Sequence, residues 1–290
     1  MGKLKKLIFY CEYGNGDIFE SREFVKEFYE FYQPEECYYA HGKHPDIIKD
    51  MTFLESIAFD PTEMKSMRPY AFYGDVLYVN TWIGRDSKFV LPGIGCVVEQ
   101  LYLMYNELMV MMQTGYKLQK SPLDYIPRID FSYYPNDGVT EFLKGKRRSK
   151  NVLLLNGPVH SGQAENFNFD PVMDKICTDN PKVNFIASQK SSVYKDNLTY
   201  TDDITHNSSV DLNEIAYLST FCKLIVGRNS GPHVFTQHYD NWMDSKKVNL
   251  SFTFKKEASH FVLSDSLPMR KEWSPATETN QVVTKINSLI

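Results

Sequence analysis

The fold is decided by the stretch Lys223-Leu-Ile-Val-Gly-Arg-Asn-Ser-Gly-Pro-His-Val-Phe235. Residues 223–226 have the length and the apolar character of a buried strand. The residues that follow are small or polar, as in a turn, and Pro232 stands where a helix that continues through Val234 and Phe235 would have its first turn. A strand that runs through such a turn into a helix is the repeating unit of parallel α/β proteins.

The same order of elements recurs on the N-terminal side of this stretch. Strands are predicted at Asn151–Leu155, before Asn156-Gly157-Pro158, and at Val183–Ala187. Asp211 and Glu214 have the spacing of a capping pair at the start of a helix.

The first half of the chain repeats the pattern. Leu7–Tyr10 reads as a strand that leads through Gly14-Asn15-Gly16-Asp17 into an amphipathic helix, and further strands are predicted at 36–40 and 75–80. Strands that alternate with helices in both halves predict an α/β fold of two Rossmann-like, doubly wound domains that face each other across a cleft.

We place the boundary between the domains in the basic cluster Lys144-Gly-Lys-Arg-Arg-Ser-Lys150, because a new strand begins directly after it. The domains are then residues 1–147 and 148–290, and the last helix, from Thr279 to Ile290, is able to pack back on the first domain. The cluster itself is interpreted as a solvated hinge. The alternative is peripheral contact with an anionic membrane surface.

Composition excludes several classes of protein. The 290 residues are 42% hydrophobic and 23% charged, which is typical of a packed globular protein and not of a disordered or fibrous one. Both halves are slightly acidic, so no nucleic-acid partner is expected. The five cysteines form no C-x-x-C pair, which argues against a disulfide framework or a zinc site. With neither a signal-peptide core nor a bilayer-spanning run in the sequence, we expect a cytoplasmic protein.

The turn within the deciding stretch is the first candidate site. In doubly wound sheets, ligands bind beyond the carboxyl ends of the strands, and a helix N-terminus there favours anions. Arg228 is a candidate for bidentate contact with a diphosphate. The alternative is a turn that only caps a helix. The predicted diphosphate-binding residues in this turn are Arg228, Asn229, Ser230, Gly231 and His233.

Other predicted strand ends supply further candidates. Gly14 and Gly16 allow the backbone to approach a ligand, and Asp17 is either a base for a hydroxyl acceptor or an ordinary helix cap. The remaining candidates are His160 and Ser161 for the diphosphate, Gln189 and Lys190 for a nucleoside, and His41 and Trp82 for an acceptor.

The G-N-G-D turn, the new strand near residue 151, Asp211-Leu-Asn-Glu-Ile-Ala-Tyr-Leu218 and the deciding stretch together resemble the heptosyltransferase-like glycosyltransferases of the two-Rossmann-domain (GT-B) fold. The resemblance implies that Asp17 is the base, and that Ser230 and Gly231 hold the donor diphosphate. Asn229 stands where the family has Asp, and His233 follows the glycine by two residues instead of three. These departures count against a heptose substrate.

The resemblance implies an acceptor-binding first domain and a second domain that binds a nucleotide sugar. The expected activity is metal-independent, inverting transfer of a sugar from a nucleoside diphosphate to a glycan, glycoprotein or glycolipid hydroxyl. The sequence has no Asp-x-Asp element to hold a metal on the donor phosphates, and no cofactor is expected beyond the donor substrate. The alternatives are a nucleotide-sugar epimerase of the same fold and a non-catalytic binder of nucleotide sugars or glycans.

Overall fold

The computed structural model describes residues 4–60, 62, 69–81, 97–144, 146, 150–160, 162–206, 210–256 and 267–290. Two compact units divide the chain between Arg128 and Ile129. The boundary predicted at residue 147 lies further along the chain, within the second unit. Val139 and Leu143 belong to the same buried cluster as Leu153, so the segment before residue 147 packs with the second sheet.

The first unit contains a five-stranded sheet in the order β3-β2-β1-β5-β4. Its pairs are parallel except for β4 and β5, which are antiparallel. The strands of this unit are β1 (Lys6–Cys11), β2 (Glu36–His41), β3 (Glu55–Ala58), β4 (Tyr70–Tyr73) and β5 (Val76–Asn80), its helices are α1 (Asn15–Glu20), α2 (Arg22–Tyr32) and α3 (Val97–Met111), and its 3-10 turns are Pro45–Ile48 and Pro122–Tyr125.

Both faces of this first sheet are apolar. Side chains alternate along β1, so Phe9 packs on Phe28 of α2, whereas Ile8 and Tyr10 lie in a cluster with Ala40. The helix α2 ends at Tyr32 and is capped by Gln33, whose φ of 44° is left-handed, and Pro34 follows the cap. The left-handed residue and the proline end the helix, and the chain then enters β2.

The second unit contains a six-stranded sheet in the order β11-β10-β9-β6-β7-β8, and all its pairs are parallel. The strands of this unit are β6 (Asn151–Leu154), β7 (Asn184–Ala187), β8 (Leu198–Tyr200), β9 (Leu224–Gly227), β10 (Val248–Phe252) and β11 (Arg270–Ser274), its helices are α4 (Asp137–Phe142), α5 (Asp170–Asp179), α6 (Leu212–Ser219), α7 (Gly231–Phe235), α8 (Tyr239–Trp242) and α9 (Thr279–Asn287), and its 3-10 turns are Phe131–Tyr133 and Thr201–Asp203.

Helices cover both faces of the second sheet. Along β6, Val152 and Leu154 lie in a core shared with α5 and α9. Leu153 lies in the opposite core, which is shared with α4 and α6. This alternation confirms the predicted doubly wound arrangement. Because the strands are parallel, the turns that follow β6, β7 and β9 meet at one edge of the sheet.

Most predicted elements are present, with two local differences. The first helix is interrupted at Ser21, which separates α1 from α2. Asp211 is the N-cap of α6 but makes no side-chain capping bond, while Glu214 accepts a hydrogen bond from the His206 amide at 2.9 Å. Within the described residues, no helix has the length and apolar character needed to span a membrane.

Candidate functional site

Asn156 ties together the turns that follow β6 and β7. Its side-chain Nδ2 donates to the Gln189 carbonyl at 2.9 Å, and its Oδ1 accepts from the Gln189 amide at 2.9 Å. Gln189 itself is exposed. The predicted nucleoside-binding residue therefore has its backbone fixed by a side chain from the neighbouring strand end, while its own side chain is solvent-accessible.

Arg228, which directly follows β9, contacts the turn after β6 through its guanidinium. Its Nη2 donates to the carbonyls of Asn156 and Gly157, both at 2.8 Å. Its Nη1 donates to the carbonyl of Phe167 at 2.8 Å and, more weakly, to that of Glu165 at 3.5 Å. The terminal nitrogens of the guanidinium are therefore engaged by the protein itself.

The environment of Arg228 is also unlike that of an exposed diphosphate clamp. The side chain is buried, and its guanidinium carbon lies 5.0 and 4.9 Å from the ring centroids of Phe167 and Phe169. Burial lowers the pKa of Arg228 to about 10, which leaves it protonated at neutral pH. The bidentate contact expected from the sequence would require the guanidinium to leave its carbonyl partners.

His233 and Asn229 form the buried base of the turn. The Asn229 amide donates to His233 Nδ1 at 3.0 Å, so Nε2 carries the proton and donates to Asn249 Oδ1 at 3.0 Å. Asn229 has a left-handed φ of 57°. The Asn229 carbonyl accepts from Gln163 Nε2 at 2.9 Å. Both predicted diphosphate ligands are thus buried in the protein, where their polar groups shape the turn.

Ser230 and Gly231 differ from their neighbours. Ser230 is the N-cap of α7, it is 6% exposed, and its Oγ has no hydrogen-bond partner among the described residues. A Cβ at Gly231 would meet nothing within 4 Å, so there is open space above the first residue of the helix. A desolvated hydroxyl at this position can donate to an anion, together with the Gly231 amide, since Pro232 has no N–H and the Val234 amide donates to the Ser230 carbonyl at 3.0 Å.

The other predicted groups of the second unit that the structure describes follow β6 and β7, at the same edge of the sheet as this turn. His160 is exposed, and Ser161 lies outside the described residues. Lys190 Nζ lies 2.8 Å from Asp203 Oδ1, a contact that raises the pKa of the lysine. Lys190 also lines a groove of about 500 Å³, together with the buried Tyr200 and with Tyr194, which is 83% exposed.

In the first unit, the glycine turn positions Asp17 at the third residue of α1. The Gly14 amide donates to Asp17 Oδ2 at 2.8 Å, and Asn15 and Gly16 form the first turn of the helix. A Cβ at Gly14 would lie 3.1 Å from Asp17 Oδ2, so glycine gives the carboxylate room. Asp17 is half-buried and acts as a helix cap, which leaves its predicted role as a base open to experiment.

His41 is placed differently from the expectation of an acceptor-binding residue. It is buried, its Nδ1 accepts from the Lys43 amide at 3.2 Å, and its Nε2 lies 3.1 Å from Ser56 Oγ. Burial lowers the pKa of His41 to about 4. With both ring nitrogens used inside the first unit, none is left for a sugar hydroxyl. Trp82 lies outside the described residues.

Sequence reasoning did not assign Asn156, Gln163 and Phe167 to the site. Asn156 carries a recognisable signal, since a polar residue directly follows a buried strand. Gln163 and Phe167 carry no such signal, because they reach the turn only through the tertiary fold. Among the described residues, no group of three or more His, Cys, Asp or Glu side chains is arranged to hold a metal ion.

Solved structures of glycosyltransferases resemble this chain over almost its whole length. ADP-heptose LPS heptosyltransferase II of E. coli is 12% identical, with a TM-score of 0.55 over 99% of this chain and 98% of that one. A family 9 glycosyl transferase of Veillonella parvula is 8% identical, with a TM-score of 0.54 over 99% and 92% of the two chains.

A third structure, E. coli heptosyltransferase WaaC with ADP-2-deoxy-2-fluoro heptose, is 9% identical, with a TM-score of 0.54 over 98% of both chains. No protein-family model and no curated protein sequence matches the chain. At these identities the likeness concerns the fold. The chain has the GT-B fold of two Rossmann-like α/β domains that is found in the heptosyltransferase-like glycosyltransferases.

Proposed function

We propose that this protein is a glycosyltransferase that moves a sugar from a nucleoside diphosphate to a hydroxyl of a glycan, glycoprotein or glycolipid. The observation that carries the proposal is the Ser230 hydroxyl, which is buried without a protein partner at a helix N-terminus with open space above Gly231. An unpaired buried hydroxyl costs folding free energy, and a bound phosphate oxygen would supply the missing partner.

The diphosphate is placed over Ser230 and Gly231, and the nucleoside over Gln189 and Lys190. Neighbouring strands lie about 4.8 Å apart, and β9 and β7 are separated by one strand, so their ends are roughly 10 Å apart. A nucleoside diphosphate can span that separation. The groove beside Lys190, with Tyr194 at its rim, offers an aromatic face to a base or ribose. His160 and Ser161 are additional candidates for the phosphates.

The first unit would supply the acceptor side of the reaction, with Asp17 as the base. The acceptor oxygen attacks the anomeric carbon and loses its proton to the Asp17 carboxylate, while the bond from that carbon to the diphosphate oxygen breaks and the nucleoside diphosphate leaves with the electron pair. Attack opposite the leaving group inverts the configuration. Amide donors and the helix dipole at Ser230 and Gly231 would stabilise the departing charge without a metal ion.

A thermal-shift screen with UDP-, GDP-, ADP- and CMP-sugars tests donor binding, because a ligand that binds only the folded state raises its melting temperature. We expect a shift with one base class, and a smaller shift for Ser230→Ala. Release of nucleoside diphosphate is then measured with and without pooled glycans and with EDTA.

Acceptor-dependent release that EDTA does not affect supports the proposal. Donor consumption that needs no acceptor would indicate an epimerase, and binding without any turnover a non-catalytic binder. A screen without any shift would contradict donor binding itself.

A further inference from the structure

The guanidinium of Arg228 is a buried positive charge that faces no negative one among the described residues. Its partners are four backbone carbonyls and the rings of Phe167 and Phe169. The buried Arg22 of the first unit differs, because it forms an ion pair with Asp50. A buried cation without a carboxylate attracts any anion that binds nearby, since little water screens it.

The carbonyl contacts of Arg228 also orient the peptide groups around it. In a trans peptide the N–H points opposite to the C=O of the preceding residue. Because the Asn156 and Phe167 carbonyls point at Arg228, the amides of Gly157 and Asn168 point away from it. These two amides come from separate turns, and each can donate a hydrogen bond to an anion on the side away from Arg228.

We propose that Arg228 is a positioning residue for the donor diphosphate. It holds the two turns before α5 against the end of β9, orients their amides outward and supplies positive charge from beneath them, without touching the phosphates. This inference rests on the proposed function, and it replaces the direct contact expected from the sequence. The diphosphate is the negative charge that Arg228 lacks within the protein.

The proposal predicts different effects of Arg228→Lys and Arg228→Met on the affinity for a nucleoside diphosphate. Lysine keeps the charge but cannot replace a planar fork that reaches four carbonyls, whereas methionine removes the charge as well. Both variants should lower the affinity for a nucleoside diphosphate, methionine by roughly tenfold or more and lysine by less. Affinity for the nucleoside without phosphates should stay within about twofold of the wild type for both variants, since neutral ligands gain little from a distant charge.

The experiment is calorimetric titration of the full chain with the nucleoside diphosphate chosen by the screen and with the corresponding nucleoside. Arg270→Lys and Arg270→Met are matched controls, because Arg270 is an exposed arginine on β11 of the same unit, paired with Glu272. Melting temperatures are recorded for every variant. If Arg228→Met does not fold, the lysine variant still gives the comparison between the two ligands.

A selective loss of diphosphate affinity, greater for methionine than for lysine and absent from both controls, supports the proposal. Equal losses of affinity for the diphosphate and for the nucleoside would show that Arg228 is a purely structural residue and would overturn the proposal. Unchanged affinity for the diphosphate would overturn it as well. A wild-type protein that binds the nucleoside but not its diphosphate overturns this inference, whereas a wild type that binds neither ligand overturns the proposed function as well.

Discussion

The imidazole of His233 fills the space that a side chain on Gly227 would need: a Cβ at Gly227 would lie 2.6 Å from both Cγ and Nδ1 of the ring. His233 cannot move aside easily, since its ring nitrogens are bonded to the Asn229 amide and to Asn249. The last residue of β9 and the helix that follows the turn are therefore fitted to each other.

Gly227→Ala should lower the free energy of unfolding by about 1–3 kcal/mol, because the added methyl group overpacks a buried polar contact. Urea denaturation followed by circular dichroism measures this difference. Gly231→Ala is the control, as its Cβ would meet nothing within 4 Å, and we expect a change below about 1 kcal/mol there. Equal effects at both glycines would contradict the described packing.

Lys247 caps the carboxyl end of α6 from a buried position. Its Nζ donates to the carbonyls of Ser219, Thr220 and Cys222, each at 2.8 Å. Lys247→Met would leave these acceptors unpaired, so we expect a loss of about 2–4 kcal/mol in the free energy of unfolding. The neighbouring Lys246 is exposed, and Lys246→Met should change stability by less than about 0.5 kcal/mol. Similar losses for both variants would refute the capping role.

Two buried histidines make stability depend on pH. Burial lowers the pKa of His41 to about 4 and that of His238 to about 3. In the unfolded chain each histidine titrates near 6.5, so only the unfolded state takes up these protons as the pH falls from 6.5 towards 4. The free energy of unfolding is therefore highest above about pH 6.5. Between pH 6.5 and the pKa in the folded protein, each histidine lowers it by about 1.4 kcal/mol per pH unit.

Denaturation midpoints between pH 7 and 4 test this for His238→Gln, which removes one of the two titrating groups. The slope of stability against pH should be shallower than in the wild type. A wild-type slope in His238→Gln would show that His238 is not held neutral in the folded protein.

Asp17→Asn tests the base in the proposed reaction. Asparagine keeps a side-chain oxygen that can accept from the Gly14 amide, so folding should be little affected, while loss of the carboxylate should slow transfer by roughly 100- to 10,000-fold without loss of donor affinity. Glu30→Gln, at an exposed glutamate on α2 of the same unit, should retain full turnover. Turnover of Asp17→Asn within about twofold of the wild type would assign the carboxylate to helix capping alone.

The sequence predicted the strands that contain a continuous apolar run, such as β1, β6 and β9, because a strand buried on both faces needs such a run. It did not reveal β10, in which Asn249 and Ser251 alternate with apolar residues and point to buried polar partners. It also missed β3 and β4, which lie at the two edges of the first sheet. Edge strands are only partly buried, so their sequence pattern is weak.

The candidate site was predictable in position but not in detail. The turn at 227–233 lies at a strand end, as expected from the sequence. That Arg228 points into the protein depends on Phe167, which lies 61 positions earlier in the chain, and no local pattern encodes that contact. The same holds for Ser230, whose lack of a partner is a property of the folded surroundings.

Calorimetric titration of the wild type and Ser230→Ala with the nucleoside diphosphate chosen by the screen tests the central claim most directly. Because Ser230 Oγ has no protein partner among the described residues, alanine should leave stability unchanged or slightly higher. Affinity for the diphosphate should nevertheless fall roughly tenfold, the effect of one lost hydrogen bond to a charged group. Equal affinity of the two proteins, or no binding by the wild type, would contradict the assignment of this turn as the donor site.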